Sequence, residues 1–174
     1  MRIPVWNPED APRDPAVVDA VMKRRGGKLL RLDEALLWSE PLARGWNAYL
    51  GEVRQNFAVD KRLKELAICT VAKLTGAQYE YDHHKPHYLA AGGTVALVDS
   101  LGDVDSAITS TIATADEKLA MRYALAMTRS VKVPDVLFRE MKSRFSTTEL
   151  VELTAAIAAY NMVARFLVAL EVTD

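Results

Sequence analysis

All three histidines of the 174-residue chain lie within five residues of one another, at His83, His84 and His87. Glu80 lies four residues before His84, a spacing that places both side chains on one face of an α-helix and lets them hydrogen-bond. A carboxylate beside an imidazole raises the pKa of the histidine, fixes its tautomer and yields an acid–base couple near neutral pH. The sequence therefore predicts proton-transfer chemistry at Glu80 and His84.

A second carboxylate, Glu65, lies in an otherwise largely apolar stretch between residues 63 and 74. A buried carboxylate needs a partner, because an unpaired one costs several kcal/mol. The turn expected at Gly76 would fold the two flanking helices into an antiparallel pair, so that Glu65 could reach His84. The alternative role for Glu65 is a structural ion pair, with Arg165 or with a histidine.

Further aromatic and imidazole side chains surround this couple and are candidates for binding a substrate. They are Tyr79, Tyr81, His83, His87 and Tyr88. Packing is the alternative role for the tyrosines, and a surface position is the alternative for the two histidines. Glu80 with His84 and His83 with His87 both have the spacing of helical metal ligands, but the two pairs do not point to one centre. We therefore expect no bound metal.

The single cysteine of the chain, Cys69, limits its redox chemistry. One cysteine cannot form an internal disulfide, a C-x-x-C redox pair or a cysteine-rich zinc site. Cys69 lies one helical turn after Glu65, and a neighbouring carboxylate raises the pKa of a thiol and suppresses the reactive thiolate. A buried, apolar role for Cys69 is therefore preferred to a reactive one.

The elements that position these residues are expected to be helices, since the hydrophobic periodicity is helical almost throughout and no segment has the pattern of a strand. The predicted helices span about 15–25, 33–56 with an interruption near Pro41, 61–74, 77–91, 94–101, 116–130, 134–145 and 147–170. Pro86 is expected to kink the fourth. The last follows a capping box at Ser146 and Glu149 and is apolar on nearly all sides, which predicts a central or inter-subunit helix. The fold is predicted to be an all-α bundle of seven or eight helices.

The N-terminal segment is unusually rich in proline. Four of the seven prolines lie in the first fifteen residues, at Pro4, Pro8, Pro12 and Pro15. Because proline fixes φ and removes a backbone donor, we expect an extended arm over residues 1–13, followed by a single helical domain over 14–174.

The charge balance excludes several classes of partner. The chain carries 22 basic and 23 acidic residues, a formal net charge of −1, which gives no electrostatic case for binding nucleic acid or an anionic membrane. No segment approaches ~18 uninterrupted apolar residues, and the N-terminus lacks the apolar core of a secretory signal. We therefore expect a cytoplasmic protein with no nucleic-acid or membrane partner.

Several stretches of the sequence resemble the carboxymuconolactone decarboxylase family, within the alkylhydroperoxidase D-like superfamily. They are residues 37–43 (LWSEPLA), 61–68 (KRLKELAI), 74–84 (LTGAQYEYDHH), 90–92 (AAG) and 160–167 (YNMVARFL). The resemblance covers most of the chain from about residue 36 to residue 170. It implies the alkylhydroperoxidase D-like fold and an assembly into trimers or hexamers.

The two branches of that superfamily differ at the cysteine positions. The peroxidase branch uses a glutamate, a C-x-x-C pair and a histidine four residues after the second cysteine. By motif, Glu65 and His84 match the glutamate and the histidine, but Ala77 and Glu80 occupy the two cysteine positions. The dithiol cycle of that branch therefore cannot run here. Residues 79–84 (YEYDHH) are instead similar to the Tyr-Glu-(Trp/Tyr)-x-x-His pattern of the decarboxylase-like branch, which is cofactor-free.

Together these features lead to one expected function and two alternatives. The expected function is a cofactor-independent acid–base enzyme, a lyase or hydrolase of a small lactone or carboxylic acid, with Glu65, Glu80 and His84 as catalytic residues. One alternative is an antioxidant peroxidase that relies on Cys69, and the other is a non-catalytic helical oligomer that binds a small ligand. A homo-oligomer is also expected because the last helix and Trp6 present more apolar surface than one small bundle covers.

Overall fold

Every regular element in the computed structural model is an α-helix across the residues it describes, which are 1–9, 11 and 13–173. The ten helices of this part of the chain are α1 (Pro15–Arg25), α2 (Arg31–Leu36), α3 (Glu40–Gln55), α4 (Lys61–Thr75), α5 (Gln78–Ala90), α6 (Val95–Ser100), α7 (Val104–Thr109), α8 (Ala115–Ser130), α9 (Asp135–Arg144) and α10 (Thr147–Leu170). The all-α prediction is confirmed, and the expected number of helices was too low.

The helix ends follow the capping residues of the sequence. Asp60 caps α4, its carboxylate accepting from Leu63 N at 3.0 Å, and Gly76 ends the same helix with a φ of 70°, which favours glycine. The predicted box before α10 is present, since the Glu149 carboxylate accepts from Ser146 N at 2.9 Å. These local hydrogen bonds explain why most predicted bounds are right to within a residue or two.

Two differences account for the additional helices. The segment predicted as one interrupted helix over 33–56 forms α2 and α3, and the break lies before Pro41. Pro41 itself is in the first turn of α3, where its missing N–H removes no helical hydrogen bond. Helix α7 was not predicted; Asp103 caps it, accepting from Ser106 N. Pro86 lies on the exposed side of α5, and the helix continues through it.

The chain divides into two compact units, Met1–Asn56 with Leu167–Asp174, and Phe57–Phe166. In the first unit Trp6 is buried, and its indole N–H donates to Ala11 O at 2.8 Å. The buried Asp33 carboxylate accepts the Arg25 guanidinium at 2.8 Å. Pro12 of the proposed arm lies outside the described residues, and the division into residues 1–13 and 14–174 stays a prediction.

Helix α4 is the core helix of the second unit. It packs against α5 and α8, and ten consecutive residues, Leu63 to Ala72, are buried. The core around it includes Leu66, Tyr81, Leu97 and Met121. This complete burial sets the environment of the candidate site, because any polar side chain in the middle of α4 must find its partner inside the protein.

Helix α10 is long and apolar enough, by length and composition, to cross a membrane. However, Leu153, Ile157 and Ala164 are fully buried, as on the inner side of a core helix. Val151 and Met162 are exposed on the other side of the helix. The central or inter-subunit position of this helix stays a prediction. The cytoplasmic location stays a prediction.

Candidate active site

The imidazole of His84 lies between two carboxylates. Its Nδ1 is 2.6 Å from Glu65 Oε2, and its Nε2 is 2.8 Å from Glu80 Oε1. All three side chains are almost completely buried, with exposed fractions of 1% for His84, 4% for Glu65 and 7% for Glu80. Both contacts expected from the sequence are present, and they converge on one ring.

The α4–α5 hairpin creates this arrangement. Glu65 lies within the buried run of α4, and the turn at Gly76 brings α5 back alongside it. Glu80 is in the first turn of α5, one turn before His84, so the two face the same side of their helix. The positive end of the α5 dipole favours a carboxylate at Glu80.

The two carboxylates favour the protonated form of His84. Burial alone lowers the pKa of this histidine, but the negative charges of Glu80 and Glu65 and their hydrogen bonds outweigh it, so the pKa of His84 is raised above its ordinary value. Only the imidazolium ion can donate from both ring nitrogens at once. The geometry and the charge balance therefore agree on an imidazolium that donates to both carboxylates.

Tyr160 of α10 completes the wall of the site, and the sequence did not identify it. Its buried ring meets the His84 ring edge-on, with 4.7 Å between centroids. Tyr160 belongs to the last stretch that resembles the family, but no spacing rule connects it to His84, because the contact is made only by tertiary packing. The His87 ring centroid is 5.8 Å from that of His84, and His87 is exposed.

Three further predicted substrate-binding residues, Tyr79, Tyr81 and His83, make contacts with one another or with the backbone. Tyr79 stacks on His83 with 4.2 Å between ring centroids, and the imidazole Nδ1 of His83 is 2.9 Å from Tyr79 O. The Tyr81 hydroxyl donates to Val98 O at 3.0 Å, and burial together with the charge of Asp99 raises the pKa of Tyr81 to about 12. These contacts agree with the packing alternative, and a role in binding substrate stays a prediction.

Tyr88 lies four residues after His84 and so shares its side of α5, but the Tyr88 hydroxyl donates to Glu117 Oε1 of α8 at 3.1 Å. Its side chain is fully buried, and burial with the nearby Glu117 charge raises the pKa of Tyr88 to about 12. Residue spacing predicts which side of a helix a residue occupies but does not predict which neighbouring helix packs there. The spacing of Tyr88 therefore could not reveal its hydrogen bond to Glu117.

Cys69 is fully buried next to the two carboxylates. Burial and the charges of Glu65 and Glu80 raise the pKa of this thiol far above its ordinary value. The expectation of a buried, apolar cysteine is confirmed, and the same environment opposes formation of a thiolate.

The alternative partners considered for the site are not in place. Arg165 is exposed and donates to Asn161 O at 2.8 Å, whereas the Glu65 carboxylate is 2.6 Å from His84 Nδ1. Both His84 nitrogens face carboxylates, and within the described residues no three His, Cys, Asp or Glu side chains are grouped to hold a metal ion. Absence of a metal from the working protein stays a prediction.

Comparison with known proteins adds evidence on the fold. No protein-family model matches the sequence, and no curated protein matches it. A protein of unknown function from Agrobacterium tumefaciens, described as a putative antioxidant defence protein AhpD, matches with a TM-score of 0.68 and 21% identity, over 75% of this chain and 88% of that chain. An uncharacterized peroxidase-related protein from Silicibacter sp. TM1040 matches with a TM-score of 0.80 and 14% identity, over 99% of this chain and 90% of that chain.

The third structure is the debrominase Bmp8, a cysteine-to-alanine variant in complex with 2,3,4-tribromopyrrole. It matches with a TM-score of 0.77 and 19% identity, over 99% of this chain and 92% of that chain. Sequence identities of this size establish the architecture and leave the chemistry open. The protein therefore has an alkylhydroperoxidase D-like fold.

Proposed function

We propose that the protein is a cofactor-independent acid–base enzyme, a lyase or hydrolase that acts on a small lactone or carboxylic acid. The observation that carries this proposal is the contact of one buried imidazole with two carboxylates, at 2.6 Å and 2.8 Å. Groups whose pKa values are shifted by burial and by specific charged neighbours cluster at catalytic sites. The substrate class rests on the resemblance to the decarboxylase-like branch.

The three side chains would have distinct roles. Glu65, on the buried α4, would orient His84 through Nδ1 and keep it protonated. Glu80 is the most exposed of the three and would meet a substrate first. With a β-keto acid, the Glu80 carboxylate would take the proton of the substrate's carboxylic acid, the C–C bond would break to release carbon dioxide, and the Nε2–H of His84 would donate to the oxygen of the resulting enolate. Return of the proton from Glu80 to the enolate carbon would give the ketone and restore the starting state.

The test uses a panel of small unsaturated lactones and β-keto carboxylic acids, followed by loss of lactone absorbance and by release of carbon dioxide. We expect His84→Ala and Glu80→Gln each to lower turnover by about 10²–10⁴-fold. Asp82→Asn is the matched control, because Asp82 lies on the exposed side of the same helix and accepts from Gln78 Nε2. Turnover that survives both site substitutions would refute the mechanism.

The same preparations distinguish the two alternatives. A peroxidase that relies on Cys69 would turn over a hydroperoxide and lose that activity in Cys69→Ser, which the buried, protonated thiol argues against. A non-catalytic binding protein would show a ligand-dependent melting shift without turnover of any compound in the panel. A small-molecule substrate and a homo-oligomer, trimer or hexamer, remain part of the proposal.

A further inference from the structure

An open groove with a volume of about 670 Å³ lies between α8, α9 and the first half of α10. This volume is in the range of pockets that bind small molecules, about 300–1,000 Å³. The lining is mostly aromatic and aliphatic, and two of its side chains, Phe138 and Val151, are 40% and 61% exposed. A contiguous apolar surface of this kind marks an interaction site, because leaving it in water is unfavourable.

The hydroxyl groups of Tyr123 and Thr154 line this groove, and both donate their hydrogens within the protein. The Thr154 hydroxyl donates to Leu150 O at 2.6 Å, so the Tyr123 hydroxyl donates to Thr154 Oγ1 at 2.8 Å. Neither hydrogen is available to a ligand. This part of the groove therefore suits a hydrocarbon chain and disfavours a sugar or another polyhydroxyl molecule, whose groups would lose their hydrogen bonds to water.

Among the described residues, Lys142 is the one charged side chain that lines the groove. Its charged neighbours on α9 are already paired, Glu140 with Arg122 and Arg144 with Asp116. Lys142 itself makes no hydrogen bond or ion pair within the described part of the chain. An ammonium group beside an apolar groove is complementary to a molecule with one negative charge and an apolar body.

The groove has a polar end and an apolar end. Lys142 is in the last turn of α9 and Thr147 is the first residue of α10, so both lie near the short turn that joins the two helices. The lining continues along α10 with Val151, Ala155 and Ala158. From Thr147 to Ala158 the helix rises by about 16 Å, at about 1.5 Å per residue. This length suits an elongated molecule with its charge at the α9–α10 turn and its tail along α10.

We propose that this groove binds an elongated apolar carboxylate, a molecule of the fatty-acid class, with its carboxylate at Lys142 and its hydrocarbon chain along α10. The ammonium group of Lys142 donates to the carboxylate in a charge-assisted hydrogen bond. The chain covers Phe138 and Val151 and removes their apolar surface from water. The molecule is bound without any bond being made or broken.

This binding site is distinct from the candidate active site. Tyr160, the residue of α10 that contacts His84, is buried and does not line the groove. The proposal therefore does not rest on the acid–base chemistry of His84. Loss of turnover in His84→Ala would leave binding in the groove intact, and a failure to bind there would leave the role of His84 untouched.

Isothermal titration calorimetry on the full chain tests the chemistry of the ligand, with dodecanoate as the probe below its micelle-forming concentration. We expect one saturable site per chain. Dodecanol and butanoate should each bind at least about five-fold more weakly, because the first lacks the charge and the second lacks the long tail. Absence of saturable dodecanoate binding would overturn the proposal, as would dodecanol or butanoate binding as tightly as dodecanoate.

Two pairs of variants test the location of the site. Lys142→Glu should weaken dodecanoate binding by about ten-fold or more, since like charges then meet. Lys132→Glu is its matched control, because Lys132 is also exposed, between α8 and α9, but does not line the groove. Val151→Trp should fill the groove and abolish binding, whereas Val168→Trp, at a 47% exposed position of the same helix outside the groove, should leave binding unchanged. Equal effects of the two variants in either pair would contradict the proposed site.

Discussion

His84 Nδ1 lies 2.6 Å from Glu65 Oε2, joining the middle of α5 to the buried part of α4. The contact joins His84, a potential proton donor, to a helix that is buried over residues 63–72. The His84 ring is held by the Glu65 carboxylate at Nδ1 and by the Glu80 carboxylate at Nε2. A group held in this way needs little reorganisation when charge moves, which is the condition for efficient acid–base catalysis.

Stability should depend on pH through His84. Because the folded-state pKa of His84 is raised above its ordinary value of 6.5, the imidazolium contributes stability that is fully present below about pH 6.5. This contribution is lost as the pH rises through the folded-state pKa. Urea unfolding of the wild type and of His84→Gln over this range should show a stability difference that shrinks with rising pH. A difference that grows with pH would contradict the assignment.

Removing Glu65 should be far more damaging than removing an exposed acid. Glu65→Ala leaves a buried imidazolium without one of its two acceptors and should lower the free energy of unfolding by about 3–5 kcal/mol. Glu65→Gln should cost less, because its amide oxygen can still accept from Nδ1. The control is Glu34→Ala, which breaks an exposed pair with Arg31 and should cost less than about 1 kcal/mol. Equal losses from Glu65→Ala and Glu34→Ala would show that the buried contact is not made.

Position 93 requires glycine, because the ring of Tyr88 lies too close to the backbone there to leave room for a side chain. A Cβ added at Gly93 would lie 2.3 Å from the Tyr88 ring, which is fully buried and hydrogen-bonded to Glu117. Gly93→Ala should therefore destabilise the protein by about 1–3 kcal/mol or more. Gly45→Ala, inside α3 with no atom within 4 Å of the added Cβ, should instead stabilise it by up to about 1 kcal/mol. Thermal melts of the two variants that shift in the same direction would exclude this packing.

Val131 occupies a strained turn after α8. Its φ is 60° and its ψ is −48°, Lys132 N donates to Ser130 O at 2.6 Å, and the side chain is 82% exposed. Such a γ-turn is unfavourable for a β-branched residue, by about 1–3 kcal/mol. Val131→Gly should therefore raise stability by about 1 kcal/mol, whereas Val136→Gly, exposed in α9, should lower it by about 0.3 kcal/mol. Chemical denaturation distinguishes the two, and a destabilised Val131→Gly would argue against the strained turn.

The helices and the His84 contacts were predictable because they depend on local rules. Asp60 and Gly76 delimit α4 through their own hydrogen bonds and backbone angles, and the four-residue spacing of Glu80 and His84 fixes their contact. The position of Glu65 followed from one physical constraint, that a carboxylate in an apolar helix must have a buried partner.

Tertiary partners were not predictable in the same way. The spacing of Tyr88 places it on the same side of α5 as His84, yet the Tyr88 hydroxyl donates to Glu117 of α8. Tyr160 reaches His84 from a distant helix that has no sequence relation to α5. In both cases the decisive contact depends on how whole helices pack, which single-sequence periodicity does not specify.

The measurement that tests the central claim most directly is an NMR titration of the His84 ring nitrogens in the ¹⁵N-histidine-labelled protein, with His84→Gln used to assign the signals. We expect the His84 ring to titrate above pH 6.5, with both ring nitrogens protonated below that transition, because Glu65 and Glu80 stabilise the imidazolium. A ring that titrates below pH 6.5 would contradict the account.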